Sequence, residues 1–282
     1  MMILWNIYEK LLRCFRERRL PDRLDRPVYF CKLKMESWYY KNRKISTLQP
    51  KTGKNLYASP VNNAGKQNLA NIIKKFGNED FDYLIFVYDQ TRFDEEIFNQ
   101  CQFVYEKGFK WYFMKKYLPP TFCEKYDYIF PWDDDIDVAD FSYKKFISIM
   151  ERNDLELAQP ALLPGSHYWH EITLKQNNSI GRITDCVENM VQVFTRDAWT
   201  KYWAMVEADK NFWGWGYTFM AKAICKYKKI GIIDCENVIH TRPYVRAGAT
   251  HLLQAKEECD DYMSRNARRF HRSLMITYGR LA

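Results

Sequence analysis

The stretch Tyr126-Asp-Tyr-Ile-Phe-Pro-Trp-Asp-Asp-Asp-Ile-Asp137 decides how the rest of the chain is read. It opens as an alternating apolar run, which predicts a buried strand of about five residues. It then delivers three consecutive carboxylates, Asp133, Asp134 and Asp135. Adjacent carboxylates repel, and unpaired charge taken out of water is costly or forces protonation. A divalent cation at the strand end removes the conflict, because hard Mg²⁺ or Mn²⁺ prefers oxygen ligands and brings the missing positive charge. In an open α/β sheet the carboxyl ends of strands are also where ligands bind. A solvated acidic turn is the alternative for the triplet taken alone.

Upstream, strands and helices alternate. Leu56–Val61 reads as a first strand, Asn62–Gly65 as a turn, and Gln67–Phe76 as a helix with Leu69, Ile72, Ile73 and Phe76 on one face. Tyr83–Tyr88 is a near-continuous apolar run, the mark of a central parallel strand covered on both faces, and Asp89 follows it. A helix over 93–100, a strand over Gln102–Tyr105 and an aromatic helix over Lys110–Leu118, closed by Pro119-Pro120, lead into the acidic strand. This pacing is a βαβ series, hence an α/β fold with right-handed crossovers. Neither G-x-G-x-x-G nor a Walker lysine motif is present, which argues against a dehydrogenase or a P-loop enzyme.

Downstream, Tyr143–Met150 reads as a helix and Leu155–Pro160 as a strand. The loop Gly165-Ser-His-Tyr-Trp-His170 is either a sugar-binding loop or a packed aromatic corner. Asn189–Phe194 reads as a strand, with Thr195 the N-cap of the next helix and Asp197 a first-turn acid matched to the helix dipole. Asn211-Phe-Trp-Gly-Trp-Gly216 opens a helix to about Tyr227 and is expected to expose two indole faces beside free backbone N–H groups. Ile230–Asp234 is another buried strand. Asn237-Val-Ile-His-Thr-Arg-Pro243 then ends a strand on His240, and the basic segment from Arg242 to Arg246 suits a metal-bound diphosphate. From Thr250 the tail reads as a charged helix with Arg265, Arg268, Arg269 and Arg272.

The 282 residues divide into a basic arm over 1–54, a compact domain over 55–248 and a helical tail over 249–282. Aromatic residues make up 17% of the chain, enough for a stacking surface as well as a core. The net charge of +8 favours anionic partners such as nucleotides, phosphorylated lipids or membrane surfaces. The eight cysteines form no CxxC pair, so free thiols in a reducing compartment are expected. No apolar run approaches the length of a membrane span, and the chain reads as soluble and cytoplasmic. Residues 1–20 form a basic amphipathic pattern, which either lies on an anionic membrane as a peripheral contact or docks on the core or a partner.

The order of strand with DxD, WGWG and strand with His resembles the GT-A class of nucleotide-sugar glycosyltransferases. Trp213-Gly-Trp-Gly216 resembles the WGWG signature of the β-1,4-galactosyltransferase group, and Ile239-His-Thr-Arg242 its metal-binding histidine segment. Over residues 55–248 the chain is also similar to a plant family of glycosyltransferase-like proteins. The matching motifs are Lys110-Trp111…Lys115…Leu118, Tyr126…Asp135, Val187-Glu188…Trp199 and Gly214–Gly216. It resembles, too, the capsid-glycan sugar transferases of large algal viruses, with xylosyl transfer the activity implied.

The resemblance implies a single GT-A domain, with a mixed, mostly parallel sheet flanked by helices, an N-terminal helical arm and a C-terminal helix. It implies Mn²⁺ or Mg²⁺ on Asp135 and His240, with Asp133 beside the ribose and metal waters and Asp134 in the same donor-binding site. Ser59, Pro60, Val61 and Asp89 would line the base and ribose. Lys110, Lys115 and Arg242 would meet phosphates, and Trp213 and Trp215 would stack on sugar. The donor implied is a UDP-sugar, UDP-xylose first, and the acceptor a glycan or glycoprotein hydroxyl, with no nucleic acid involved. One departure stands out: Thr218 occupies the place where inverting enzymes carry the general base. Glu188 is the first replacement candidate and Asp209 the second, and inversion and retention both stay open. Two other readings compete: a two-metal phosphoryl-transfer enzyme acting on nucleic acid, and a carbohydrate-binding module without catalysis.

Overall fold

The computed structural model describes residues 25–41, 53–242, 249–267 and 269–282. The basic pattern over 1–20, residues 21–24 and 42–52 of the connecting arm, Arg246 and Arg268 lie outside these residues. Among the described residues, ten strands form one connected system. They are β1 (Lys54–Val61), β2 (Phe81–Val87), β3 (Cys101–Tyr105), β4 (Tyr126–Pro131), β5 (Ile136–Asp137), β6 (Leu157–Leu162), β7 (Gly181–Thr184), β8 (Val193–Thr195), β9 (Ile230–His240) and β10 (Thr277–Arg280). Their order is β10-β7-β9-β6-β8-β4-β1-β2-β3, with β5 paired to β9 off this path. The run β4-β1-β2-β3 is parallel, as the βαβ pacing predicts. Beyond β4 the sheet is antiparallel except where β6 meets β9.

Strand alternation divides the core into two layers. Tyr57, Val61, Tyr83, Ile85, Val87, Tyr128 and Phe130 face one cluster, while Leu56, Ala58, Leu84, Phe86 and Ile129 face the other. The first cluster is covered by α2 (Lys66–Phe76) and α5 (Tyr143–Arg152). The second is covered by α3 (Lys110–Tyr117), α6 (Arg196–Met205) and α7 (Trp215–Ile224). Burying side chains such as Ile85 and Phe86 contributes roughly 1.5–3 kcal/mol each, and both faces of the strand collect this stabilisation. As expected, Thr195 caps α6 by accepting from the Ala198 N–H at 3.3 Å.

The structure corrects several expectations. The stretch 93–100 holds only a 3-10 turn over Glu96–Phe98. Phe93 and Phe98 are both buried and meet edge to face at 5.1 Å, and a helix would point residues five apart about 140° away from each other. The helix of the arm, α1 (Asp25–Lys41), lies after the amphipathic pattern of 1–20, and it docks through buried Leu33, Tyr29 stacked on His271, and Glu36 paired with buried Lys222 at 3.4 Å. A four-residue α4 (Pro120–Cys123) precedes the acidic strand. The tail forms α8 (Ala249–Ala267) and then returns as strand β10 on the sheet edge, a pairing that its composition does not announce.

Arg182 and Asp234 pin the antiparallel half. Both are essentially inaccessible. Arg182 Nε and Nη2 donate to the Asp234 carboxylate at 3.1 and 2.9 Å, and its remaining N–H groups reach the carbonyls of Ile172 and Leu174. Removing one partner strands the other as an unpaired buried charge, which typically costs about 3–5 kcal/mol. Asp234→Ala is therefore expected to lose stability of that order in urea unfolding. The double variant Arg182→Met, Asp234→Leu should recover a large part of it, and equal losses in both would contradict this reading.

Candidate active site

Strand β4 lies between β1 and β8, and its carboxyl end carries the acidic triplet into a bend. Trp132, fully buried, holds the bend through its N–H to the Ala58 carbonyl at 3.1 Å and its indole N–H to the Gln192 carbonyl at 3.0 Å. Immediately afterwards β5 pairs antiparallel with the end of β9, setting Ile136 opposite His240 and Asp137 opposite Ile239. The Thr241 N–H and hydroxyl both donate to the Asp135 carbonyl, at 2.9 and 3.0 Å. This two-residue ladder brings His240 beside an acid more than a hundred residues earlier: His240 Nε2 is 3.1 Å from Asp135 Oδ2.

The loop Gly165–His170 cradles the histidine. The His240 N–H donates to Ser166 Oγ at 3.3 Å, the His167 N–H to the His240 carbonyl at 3.1 Å, and His240 Nδ1 to the His167 carbonyl at 2.7 Å. A carbonyl only accepts, so Nδ1 carries a proton and Nε2 is the atom turned to the acid. Burial lowers the imidazole pKa, but the Asp135 hydrogen bond and charge, the His167 carbonyl and Asp133 outweigh it and push it up to about 9.

Each acid of the triplet has a different environment. Asp133 Oδ1 accepts from Lys110 Nζ at 2.9 Å, and Lys110 also donates to the Asn189 carbonyl at 2.6 Å. Loss of hydration raises the Asp133 carboxyl and lowers the Lys110 ammonium, each opposed by the charge of the other. Asp134 is buried, accepts from the Asn62 N–H at 3.2 Å and pairs with Arg242. A Cβ on Gly65 would come within 2.1 Å of Asp134 Oδ2, so the turn after β1 approaches this closely only with glycine. Asp135 meets His240 and, at 3.4 Å, Arg242 Nε, while its Oδ1 is buried with no hydrogen-bond partner.

These groups floor a cleft of about 1310 Å³. One wall is aromatic: Phe109 packs on Trp213 at 4.4 Å, Trp213 meets Trp215 at 6.3 Å, and Trp215 meets Trp169 at 5.1 Å. Helix α8 closes another side with Lys256 and Asp260. The backbone N–H groups of Trp213 and Gly214 are not free, contrary to expectation: they donate to the two oxygens of Glu258 at 2.7 and 2.8 Å. The Gly214 carbonyl accepts from Asn189 Nδ2. Gly214 has φ +74° and a Cβ there would strike Trp111 at 2.4 Å, which explains the glycine between the two tryptophans.

Glu188 lies in the cleft wall, 4% exposed, with neither oxygen hydrogen-bonded in standard geometry and His170 Nε2 at 3.8 Å. Burial pushes its pKa up to about 8, against weaker lowering by His240 and nearby backbone N–H groups. Pro60 lines the cleft, whereas Ser59 and Val61 on the same strand are fully buried. Asp89 is exposed and binds the Asn63 and Thr91 N–H groups and the Thr91 hydroxyl, bracing the two strand-end turns. Lys115 turns away from the cleft, donating to the Trp203 carbonyl at 2.9 Å. Exposed Asp209 accepts from the Asn211 N–H in a turn outside the cleft lining. The loop at 165–170 and Glu258 carry more of the site than their sequence suggests. For Glu258 the only advance signal is its place in a helix otherwise read as packing.

Among the described residues no group of three or more His, Cys, Asp or Glu side chains is arranged to hold a metal ion. Two do converge. The partnerless buried Oδ1 of Asp135 and the tautomer-fixed Nε2 of His240 fit a hard divalent cation that takes its other ligands from substrate and water.

A raised carboxyl pKa has a defined effect on stability. Its contribution is complete below the unfolded value of about 4.5 and is lost as pH rises through about 8, since the unfolded chain ionises first. The melting temperature of Glu188→Gln is therefore expected to gain on that of wild type between pH 5 and 8 and then level off. A constant difference across that range would show Glu188 to be an ordinary ionised carboxylate.

No curated protein matches the chain significantly in sequence. Among solved structures, residues 1–349 of TarS from S. aureus overlay with a TM-score of 0.42 at 6% identity, covering 76% of this chain and 73% of that one. A candidate nucleotide-diphospho-sugar transferase from Desulfovibrio desulfuricans G20 overlays with a TM-score of 0.36 at 11% identity, covering 75% of this chain and 99% of that one. The family match is of a different order, spanning residues 28–183 and 177–278. The chain belongs to the family described as Protein of unknown function (DUF707).

Proposed function

We propose that the protein is a metal-assisted glycosyltransferase that moves a sugar from a nucleoside diphosphate, UDP first, to a hydroxyl of a glycan acceptor. The observation that carries this reading is the partnerless, buried Asp135 Oδ1 beside His240, on the floor of a cleft with an aromatic wall. A pyranose has an apolar C–H face that suits flat rings, and a cleft of about 1310 Å³ admits a nucleotide sugar together with an acceptor unit. The motif resemblance points the same way and suggests xylose as the first donor sugar to try.

Mg²⁺ or Mn²⁺ held by Asp135 and His240 would supply positive charge where a departing diphosphate gathers negative charge. Lys110 stands at the same floor, and Pro60 and Tyr88 border the side where base and ribose would lie. Trp213 and Trp215, held in place by Glu258 and Asn189, present the stacking surface. Glu188 is positioned to take the acceptor proton. As the acceptor oxygen forms its bond to the sugar's anomeric carbon, the bond from that carbon to the diphosphate oxygen breaks and the diphosphate leaves with the electron pair. A buried carboxyl with its pKa near the working pH suits this exchange.

Thermal melts with UDP and UDP-sugars test the reading directly. A Mn²⁺-dependent upshift with one UDP-sugar, abolished in Asp135→Ala, is expected, and no shift with any nucleotide would remove it. With the donor found, Glu188→Gln is expected to slow UDP release in the presence of acceptor by roughly 10²–10⁴-fold. An unaltered rate would move the base elsewhere.

A further inference from the structure

Every acid of the triplet already faces a basic side chain. Asp133 has Lys110, Asp134 has Arg242, and Asp135 has both His240 and Arg242. Arg242 is the shared member: Nη2 contacts Asp134 Oδ1, Nε is 3.4 Å from Asp135 Oδ2, and the side chain is still 31% exposed toward the cleft. Its guanidinium therefore brings to Asp134 and Asp135 the positive charge that a cation would bring. Nε has no hydrogen-bond partner in standard geometry, so this grip is incomplete.

We infer that Arg242 makes cation binding conditional on the nucleotide, by holding the acids in its absence and exchanging them for the diphosphate when it arrives. The inference rests on the transferase reading above. Its physical basis is charge balance. Adding a divalent cation to carboxylates already paired with a guanidinium crowds positive charge into a half-buried site, where screening is weak. A diphosphate brings the compensating negative charge. It also offers a planar fork of donors the bidentate geometry that guanidinium groups favour, so Arg242 loses little by leaving the acids. Lys110 does not serve the same role, because its ammonium is held by Asp133 and by the Asn189 carbonyl and makes no ion pair with Asp135 among the described residues. Linkage makes the coupling reciprocal: UDP tightens the cation as much as the cation tightens UDP.

Calorimetric titration with Mn²⁺, with and without saturating UDP, tests this on wild type, Arg242→Gln and Arg242→Lys, with circular dichroism confirming the fold of each variant. In wild type UDP is expected to tighten Mn²⁺ within the range of about 5–150-fold usual for coupled sites. In Arg242→Gln, Mn²⁺ alone should bind more tightly than to wild type, and the UDP effect should shrink toward unity. Arg242→Lys keeps the charge, so weak binding of Mn²⁺ alone should persist. Weaker binding of Mn²⁺ alone to Arg242→Gln, or an undiminished UDP effect, would overturn the inference. Should that variant fail to fold, wild type still decides: Mn²⁺ bound equally with and without UDP refutes the coupling. Wild type binding neither Mn²⁺ nor UDP would instead bring down the transferase reading itself.

Discussion

Three adjacent carboxylates at the end of a buried strand impose the constraint around which the site is built. None can be left alone out of water, and they repel one another. The fold answers with partners drawn from distant parts of the chain. Lys110 comes from the start of α3, Arg242 from just past the end of β9, and the Asn62 N–H from the turn after β1. His240 joins them through the short β5–β9 ladder. Among the buried oxygens of the triplet, Asp135 Oδ1 alone stays unanswered. Residual imbalance at this atom and at Arg242 Nε is what distinguishes this arrangement from a closed structural ion-pair cluster such as Arg182 with Asp234, where the inward-facing donors and acceptors are matched.

The walls follow from the core packing beneath them. Trp111, 1% exposed, sits under Gly214, and the absence of a Cβ there lets the loop descend until Trp213 and Trp215 turn toward the cleft. Glu258 and Asn189 fix that loop from opposite sides by taking its N–H groups and donating to its carbonyl. The aromatic residues thus divide by role. Tyr57, Phe86, Trp132 and Tyr217 fill the two layers on either side of the sheet, while Phe109, Trp169, Trp213 and Trp215 form a surface. Cleft and core are continuous, so substitutions below the wall are felt at its face.

Elements whose signal is local were readable in advance. The parallel run of β1, β2 and β4 follows from apolar runs spaced by helical segments, α6 from a threonine cap, and the two ligand-bearing strand ends, one acidic and one with His240, from side-chain chemistry. Elements whose reason is non-local were not. The stretch 93–100 has helical spacing but folds as a turn, because Phe93 and Phe98 both find the core. Strands β7 and β10 are short, and neither would stand without the other and β9. Ser59, Val61, Lys115, Asp89 and Asp209 lie near motif positions in sequence, yet burial, a carbonyl partner or an outward turn keeps them from the cleft.

Residue order alone therefore specified a strand ending in acids, a second strand ending in histidine and an indole pair flanking a glycine, since each depends on periodicity and side-chain chemistry within a few residues. Which acid meets the histidine, which cations answer the other two, and which carboxylate is left buried in the cleft wall without a hydrogen bond of standard geometry depended on the three-dimensional packing. These are matters of ångström-scale separation between residues about twenty to about a hundred and ten positions apart, and sheet register and helix docking set them.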